Sequence, residues 1–187
     1  MQADLYTWKQ KPGGEDELTL TEDMILSPPI LKLAPRSRQI VRLARLGVAP
    51  SIEQLTYRMV VREVPEARPP SKDLNVQIAL AFSLPVFITP PGAKRDLQCT
   101  TSRAGADAVT VACRNTGTAF AQPRDFVLTA SSGEKIAGRE QGGYILPDVT
   151  RSFDIKRTDA KIPGGNFKLQ VTLDDGSLQS FDALLPD

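Results

Sequence analysis

Between Leu74 and Val86 the large apolar residues Leu74, Val76, Ile78, Leu80, Phe82, Leu84 and Val86 occupy every even position, and Asn75, Gln77, Ala79, Ala81 and Ser83 fill odd ones. Successive side chains on a strand point to opposite faces, so a period of two held this long predicts a β-strand; a helix would scatter these residues around its circumference. At about 3.3 Å per residue the run spans roughly 43 Å, well beyond the common strand of about five or six residues. A strand of that length is expected to outrun the partners in its own sheet. Its even face is then free to enter a core or to meet a partner, and alternation alone does not say which.

The rest of the chain reads as shorter β elements. Gln2 to Trp8 predicts a strand near the start, and Lys9 to Thr21, with the turn signal Pro12-Gly13-Gly14, a polar loop. Met24 to Ile30 is apolar but interrupted by Pro28 and Pro29, which suits an edge or sheet-switching segment because proline lacks the ladder donor. Gln39 to Leu43 and Tyr57 to Val64 are predicted strands, the second ended by Pro65, and Ser51 to Gln54 suits a single helical turn. Ile88-Thr89-Pro90-Pro91-Gly92 marks the expected boundary between domains 1–89 and 90–187. Beyond it, strands are predicted at Leu97 to Thr101, Val109 to Arg114, Phe126 to Ala130, Ser152 to Ile155, Phe167 to Leu173 and Leu178 to Ala183. Turn signals such as Asn115-Thr116-Gly117, Pro163-Gly164-Gly165 and Asp174-Asp175-Gly176 separate them. Short strands with frequent turns predict an all-β fold of two Ig-like sandwiches.

Composition narrows the chemistry. The 187 residues carry 23 Lys and Arg against 22 Asp and Glu, a net charge of +1, which lacks the basic bias of a nucleic-acid binder. Histidine is absent and there are two cysteines, so the commonest general base and the usual soft metal sites are missing. No cofactor and no metal are expected. No window approaches the about twenty apolar residues of a membrane helix. Met1 to Asp4 shows neither a basic nor an apolar leader region. That leaves either a cytoplasmic protein or one whose signal segment lies outside this chain. Glu63 with Asp73, or Asp174 with Asp175, are the nearest approach to paired carboxylates, yet Asp174-Asp175-Gly176 reads as a hairpin turn and Glu63 has no identifiable partner. No catalytic constellation results, and an enzyme is not expected.

Cys99 and Cys113 lie seven residues either side of Ala106. A hairpin centred there sets them opposite one another, close enough for a disulfide to close across a non-hydrogen-bonded pair. This predicts a disulfide and an oxidising compartment; two buried thiols in a reducing one are the alternative.

Several motifs in order carry a family resemblance. Pro28-Pro29-Ile30 with Leu33-Ala34-Pro35, then Arg38 to Leu43, then Tyr57 to Pro65 followed by the long alternating strand, resembles the periplasmic fimbrial chaperones of the usher pathway, the PapD type. Asn115-Thr116-Gly117 and Gly143-Tyr144-Ile145-Leu146-Pro147 look like landmarks of that family's second domain, and Ser83-Leu84-Pro85-Val86-Phe87 looks like its archaic branch. The resemblance implies a boomerang of two Ig-like domains that binds pilus subunits in the periplasm by donating its long strand, then delivers them to an outer-membrane usher. Leu74, Val76, Ile78, Leu80 and Phe82 would be the subunit-binding residues, and Glu63, Asp174 and Asp175 would belong to an interdomain ion-pair set. Neither nucleic-acid binding nor membrane insertion is implied.

Departures from the family pattern change the expectations. Pro85 stands where the resemblance implies a basic residue that anchors a subunit carboxylate, and Thr89 where it implies an interdomain arginine. The first two strands of the N-terminal domain have no counterpart, so that domain is expected to be incomplete and to expose backbone edges. The alternative function is a structural or adhesive β-sandwich of the cell surface, in which the long strand is simply core.

Overall fold

The computed structural model describes residues 1–65, 78–158 and 160–186, and every helix or strand among them is a strand. The chain divides into two units. The first comprises Met1–Lys9, Glu17–Pro50 and Leu55–Ile88; the second comprises Gln10–Asp16, Ser51–Gln54 and Thr89–Asp187. Both are Ig-like β-sandwiches.

Apart from Gln10 and Asp16, which fall in the second unit, the first unit holds β1 (Gln2–Gln10), β2 (Asp16–Leu20), β3 (Met24–Ser27), β4 (Arg42–Arg45), β5 (Leu55–Arg62) and β6 (Ala81–Ile88). One sheet runs in the order β2-β1-β5-β6, and β3 pairs with β4 separately. Register sets the two faces of the larger sheet. Ala3, Val61 and Phe82 form one cross-strand row and Leu5, Met59 and Leu84 another, so these six side chains share a face. Ala3, Leu5 and Tyr57 on that face are buried. The Tyr57 hydroxyl donates to Asp23 Oδ2 at 2.7 Å, which ties β5 to the approach of β3. On the opposite face Trp8 is buried with the Arg58 guanidinium 3.7 Å from its ring centroid and the Phe87 ring at 6.0 Å.

The second unit holds β7 (Leu97–Arg103), β8 (Ala108–Asn115), β9 (Pro123–Ala130), β10 (Lys135–Glu140), β11 (Thr150–Lys156), β12 (Gly165–Leu173) and β13 (Leu178–Leu185). The order is β13-β12-β9-β10-β11-β8-β7, with β10 and β11 joined at the single pair Gly138↔Lys156. Two layers result, and Val109, Val111, Phe126, Leu128, Ile155, Leu169 and Val171 fill the space between them, fully buried. Asn115 is a fully buried polar residue whose amide satisfies four backbone groups. It donates to the carbonyls of Ala119 (2.8 Å) and Ile145 (3.0 Å) and accepts from the amides of Gly117 (3.1 Å) and Asp96 (3.4 Å). Gly117 is required beside it, since a Cβ there would sit 2.3 Å from the Lys94 carbonyl.

Four local expectations are corrected. The predicted strand from Leu74 to Val86 is, over its described part, β6, which begins at Ala81 and continues to Ile88; Ile78 to Leu80 carry no strand. Its extent follows β5, whose Leu55 and Arg62 lie opposite Ile88 and Ala81, so the partner rather than the alternation sets the length. The strand expected at Gln39 to Leu43 is shifted to Arg42–Arg45, because its partner β3 ends at Ser27 opposite Arg42, where Pro28 removes the next donor. Asp16–Leu20, expected as loop, is an exposed edge strand whose two apolar residues, Leu18 and Leu20, are too few to mark a period. Ser51 to Gln54 form no helical turn: the Gln54 amide donates to the Thr118 carbonyl, and its side chain bonds Thr89 Oγ1 and the Phe120 amide, so its groups are satisfied far away in sequence.

Candidate functional site

β6 lies at one end of its sheet, and among the described residues it pairs with β5 alone. Its hydrogen-bonding parity follows from one bond at its start. The Glu63 amide donates to the Leu80 carbonyl at 2.8 Å, which makes Glu63 and Leu80 a hydrogen-bonded pair. Such pairs alternate along an antiparallel ladder. The unbroken register Val61↔Phe82, Met59↔Leu84, Tyr57↔Val86 and Leu55↔Ile88 therefore directs the backbone groups of the even residues toward β5. Those of Ala81, Ser83, Pro85 and Phe87 point away from the sheet. A proline is tolerated at position 85 because its missing N–H falls on the open side.

The side chains complete the site. Phe82 and Leu84 share the face of buried Ala3, Leu5 and Tyr57, yet they are 49% and 44% exposed. Just before them Leu80 is 51% and Ile78 79% exposed. The unit's apolar face thus runs from its core to an uncovered margin beside a backbone edge that is unpaired among the described residues. Strand and margin together suit the addition of one more strand carrying apolar side chains. A cleft of about 550 Å³, lined in part by Leu31, Leu33, Val64 and Ile78, adjoins the start of this margin. Glu63 fixes the approach to β6 twice over, since its carboxylate also accepts the Leu80 amide at 3.0 Å.

The residues singled out from the sequence are placed as follows. Ile78, Leu80 and Phe82 fall on the exposed margin, whereas Leu74 and Val76 lie outside the described residues. Glu63 belongs to the first unit and bonds the Leu80 backbone there. Asp174 and Asp175 belong to the second, in the turn between β12 and β13, and both pair with Arg95: Asp174 Oδ1 lies 2.7 Å from its Nη1, and Asp175 meets Nη2. The Ser177 hydroxyl and amide, more than Arg95, hold the Asp175 carboxyl below its ordinary range. Cys99 and Cys113 form the expected disulfide across β7 and β8, with Cα atoms 4.1 Å apart. Sequence reasoning left out Leu84 as a site residue, although the even-position rule reaches it. It also left out Arg95, whose partners lie 79 and 80 residues away and leave no local signal.

Among the described residues no group of three or more His, Cys, Asp or Glu side chains could hold a metal ion, and no helix is long and apolar enough to cross a membrane.

Comparisons with known proteins bear on the whole chain. No curated protein matches the sequence. Among solved structures, the fold is similar to the CsuC-CsuE chaperone-tip adhesion subunit pre-assembly complex from archaic chaperone-usher Csu pili of Acinetobacter baumannii. The TM-score is 0.64 at 20% identity, covering 100% of this chain and 85% of that one. It is also similar to the E. coli chaperone DraB, with a TM-score of 0.57 at 22% identity over 99% of this chain and 81% of that one. The class 5 fimbriae chaperone CfaA gives a TM-score of 0.55 at 14% identity over 100% and 85%. At these identities the likeness speaks for the fold. Residues 1–94 match the family described as pili and flagellar-assembly chaperone, PapD N-terminal domain. With that match over half of the chain, the protein belongs to the PapD-type family of pilus-assembly chaperones.

Proposed function

We propose that this protein is a periplasmic chaperone that holds a pilus or fimbrial subunit by strand addition at β6 and delivers it to an outer-membrane usher. The observation that carries the reading is the β6 edge, unpaired among the described residues, with Phe82 and Leu84 uncovered on the core face. An added strand gains backbone hydrogen bonds from the edge and seats alternate side chains on the apolar margin, the mode by which pilus chaperones as a class hold pilins. CsuC, similar in fold, is held in complex with a tip subunit. Ile78, Leu80, Phe82 and Leu84 each leave about half or more of their surface to bury. At about 1.5–3 kcal/mol per full side chain, this gives roughly 3–6 kcal/mol toward binding before ordering costs. Leu74 and Val76, which share the even-position alternation in the sequence, are proposed as further contacts on that ground alone. The Cys99–Cys113 disulfide suits an oxidising compartment such as the periplasm.

Co-purification from a periplasmic extract tests the proposal, with the native chain beside Leu80→Asp and bound proteins identified by mass. Leu80 precedes β6, only its backbone bonds Glu63, and its side chain is half exposed, so the variant is expected to fold, as circular dichroism would check. A small β-rich subunit held by the native chain and lost by the folded variant is the expected result. Retention of the same subunit by Leu80→Asp would refute the assignment of this edge.

A further inference from the structure

We infer that Pro85 ends the docking ladder on β6, so that an incoming strand hydrogen-bonds at Ala81 and Ser83 and goes no further; this rests on the reading of β6 as the docking edge. Parity is the first argument. Ala81, Ser83, Pro85 and Phe87 are the residues whose backbone groups face outward, and Pro85 alone of them has no N–H. An added strand that continued past Ser83 would leave one of its carbonyls opposite a site without a donor. A carbonyl taken out of water without a partner costs more than the typical bond returns, so pairing stops there.

Exposure is the second and independent argument. Ala81, Phe82, Ser83 and Leu84 are exposed, and Pro85, Val86, Phe87 and Ile88 are half-buried, so the change falls at the proline. Phe87 is engaged with Trp8 on the opposite face. The half of β6 before Pro85 therefore combines free donors, free acceptors and uncovered Phe82 and Leu84. The half after it presents only partly covered surface. The proline fixes the end of the added strand, and with it the register in which alternate side chains reach the margin. It also shortens the edge that a second copy of this chain could use, a common way for natural sheets to limit self-pairing.

Residue-resolved amide hydrogen exchange on the full chain provides the test, with a blocked peptide of alternating valine and threonine, lysine at both ends, as the probe strand. The expected result is protection of the Ala81 and Ser83 amides on titration, with the Phe87 amide unchanged. Pro85→Ala restores an outward N–H without disturbing the ladder to β5. That variant is expected to bind the probe about two- to tenfold more tightly, the worth of one added hydrogen bond, and to protect the new amide at position 85. Protection that reaches Phe87 in the native chain, or an unchanged affinity and protected set in Pro85→Ala, would overturn the assignment of Pro85 while leaving the docking edge in place. Absence of protection at Ala81 and Ser83 in a folded protein saturated with probe would overturn the docking edge itself.

Discussion

Reduction of the Cys99–Cys113 disulfide is expected to destabilise the second unit strongly, and the size of the loss can be worked from the fold. The two residues are 14 apart in sequence, face each other across β7 and β8, and are buried. Opening a closed loop of about 15 residues returns about 3 kcal/mol of chain entropy to the unfolded state. For a unit of about 100 residues, 1 kcal/mol moves the melting temperature by about 4–8 °C, so a fall of roughly 12–24 °C is expected. Calorimetry of the same protein with and without a phosphine reductant isolates the crosslink, because both sulfur atoms stay in place. Cys99→Ala/Cys113→Ala should lose that amount and about 1 kcal/mol more for the vacated volume. Among the described residues β7 is an end strand paired with β8 alone, so its amides should lose exchange protection first. A reduced protein that melts within about 3 °C of the oxidised one would refute the reasoning, since the loop entropy would then not be limiting.

Two further predictions concern buried polar groups. Tyr57→Phe removes a 2.7 Å hydrogen bond to Asp23 and is expected to cost about 1–2 kcal/mol near neutral pH, less than the full value for a charged acceptor because Asp23 is partly exposed. The Thr21 hydroxyl, then Tyr57 and Arg45, hold the Asp23 carboxyl below its ordinary range against the opposing effect of burial, while burial, then Asp23, raises the Tyr57 phenol. The Asp23 contribution is thus present above the unfolded carboxyl value of about 3.9 and is lost as pH falls through the lower folded value. The Tyr57 contribution is present below about pH 10 and is lost as pH rises through its higher folded value. Urea unfolding at acid, neutral and alkaline pH should show the gap between native and Tyr57→Phe narrowing at both ends; a gap independent of pH counts against the pairing. Asn115→Ala removes four side-chain bonds to the backbone, one buried and three partly buried, and should cost about 2–4 kcal/mol, read as a lower urea midpoint at unchanged slope. A loss under about 0.5 kcal/mol would mean that water replaces the amide.

Where local chemistry decides, the residues alone were enough. Turns with glycine, asparagine or aspartate placed most strands of the second unit within two or three residues, and β10 escaped because Ile136 and Ala137 are both buried beside a bulge, which hides the period of two. Register for the disulfide could be counted from symmetry about Ala106, since a hairpin leaves one pairing once its centre is known. Alternation marked the even residues of β6 as one apolar face. The sequence could not say where that strand would begin, because its length is a property of β5 opposite it. Nor could it tell a buried row from an open one: Leu5 and Leu84 share a face, and their different burial comes from the neighbours on either side. The pairs of Arg95 with Asp174 and Asp175, and of Glu63 with Leu80, likewise join residues that no local pattern connects. Thus the sequence by itself determined strand character, turns, face composition and the cysteine pair, all set by nearest neighbours along the chain. Which edge stays open, which half of it Pro85 closes, and which apolar residues remain uncovered were decided only by the tertiary structure, because each depends on what lies beside a strand in space.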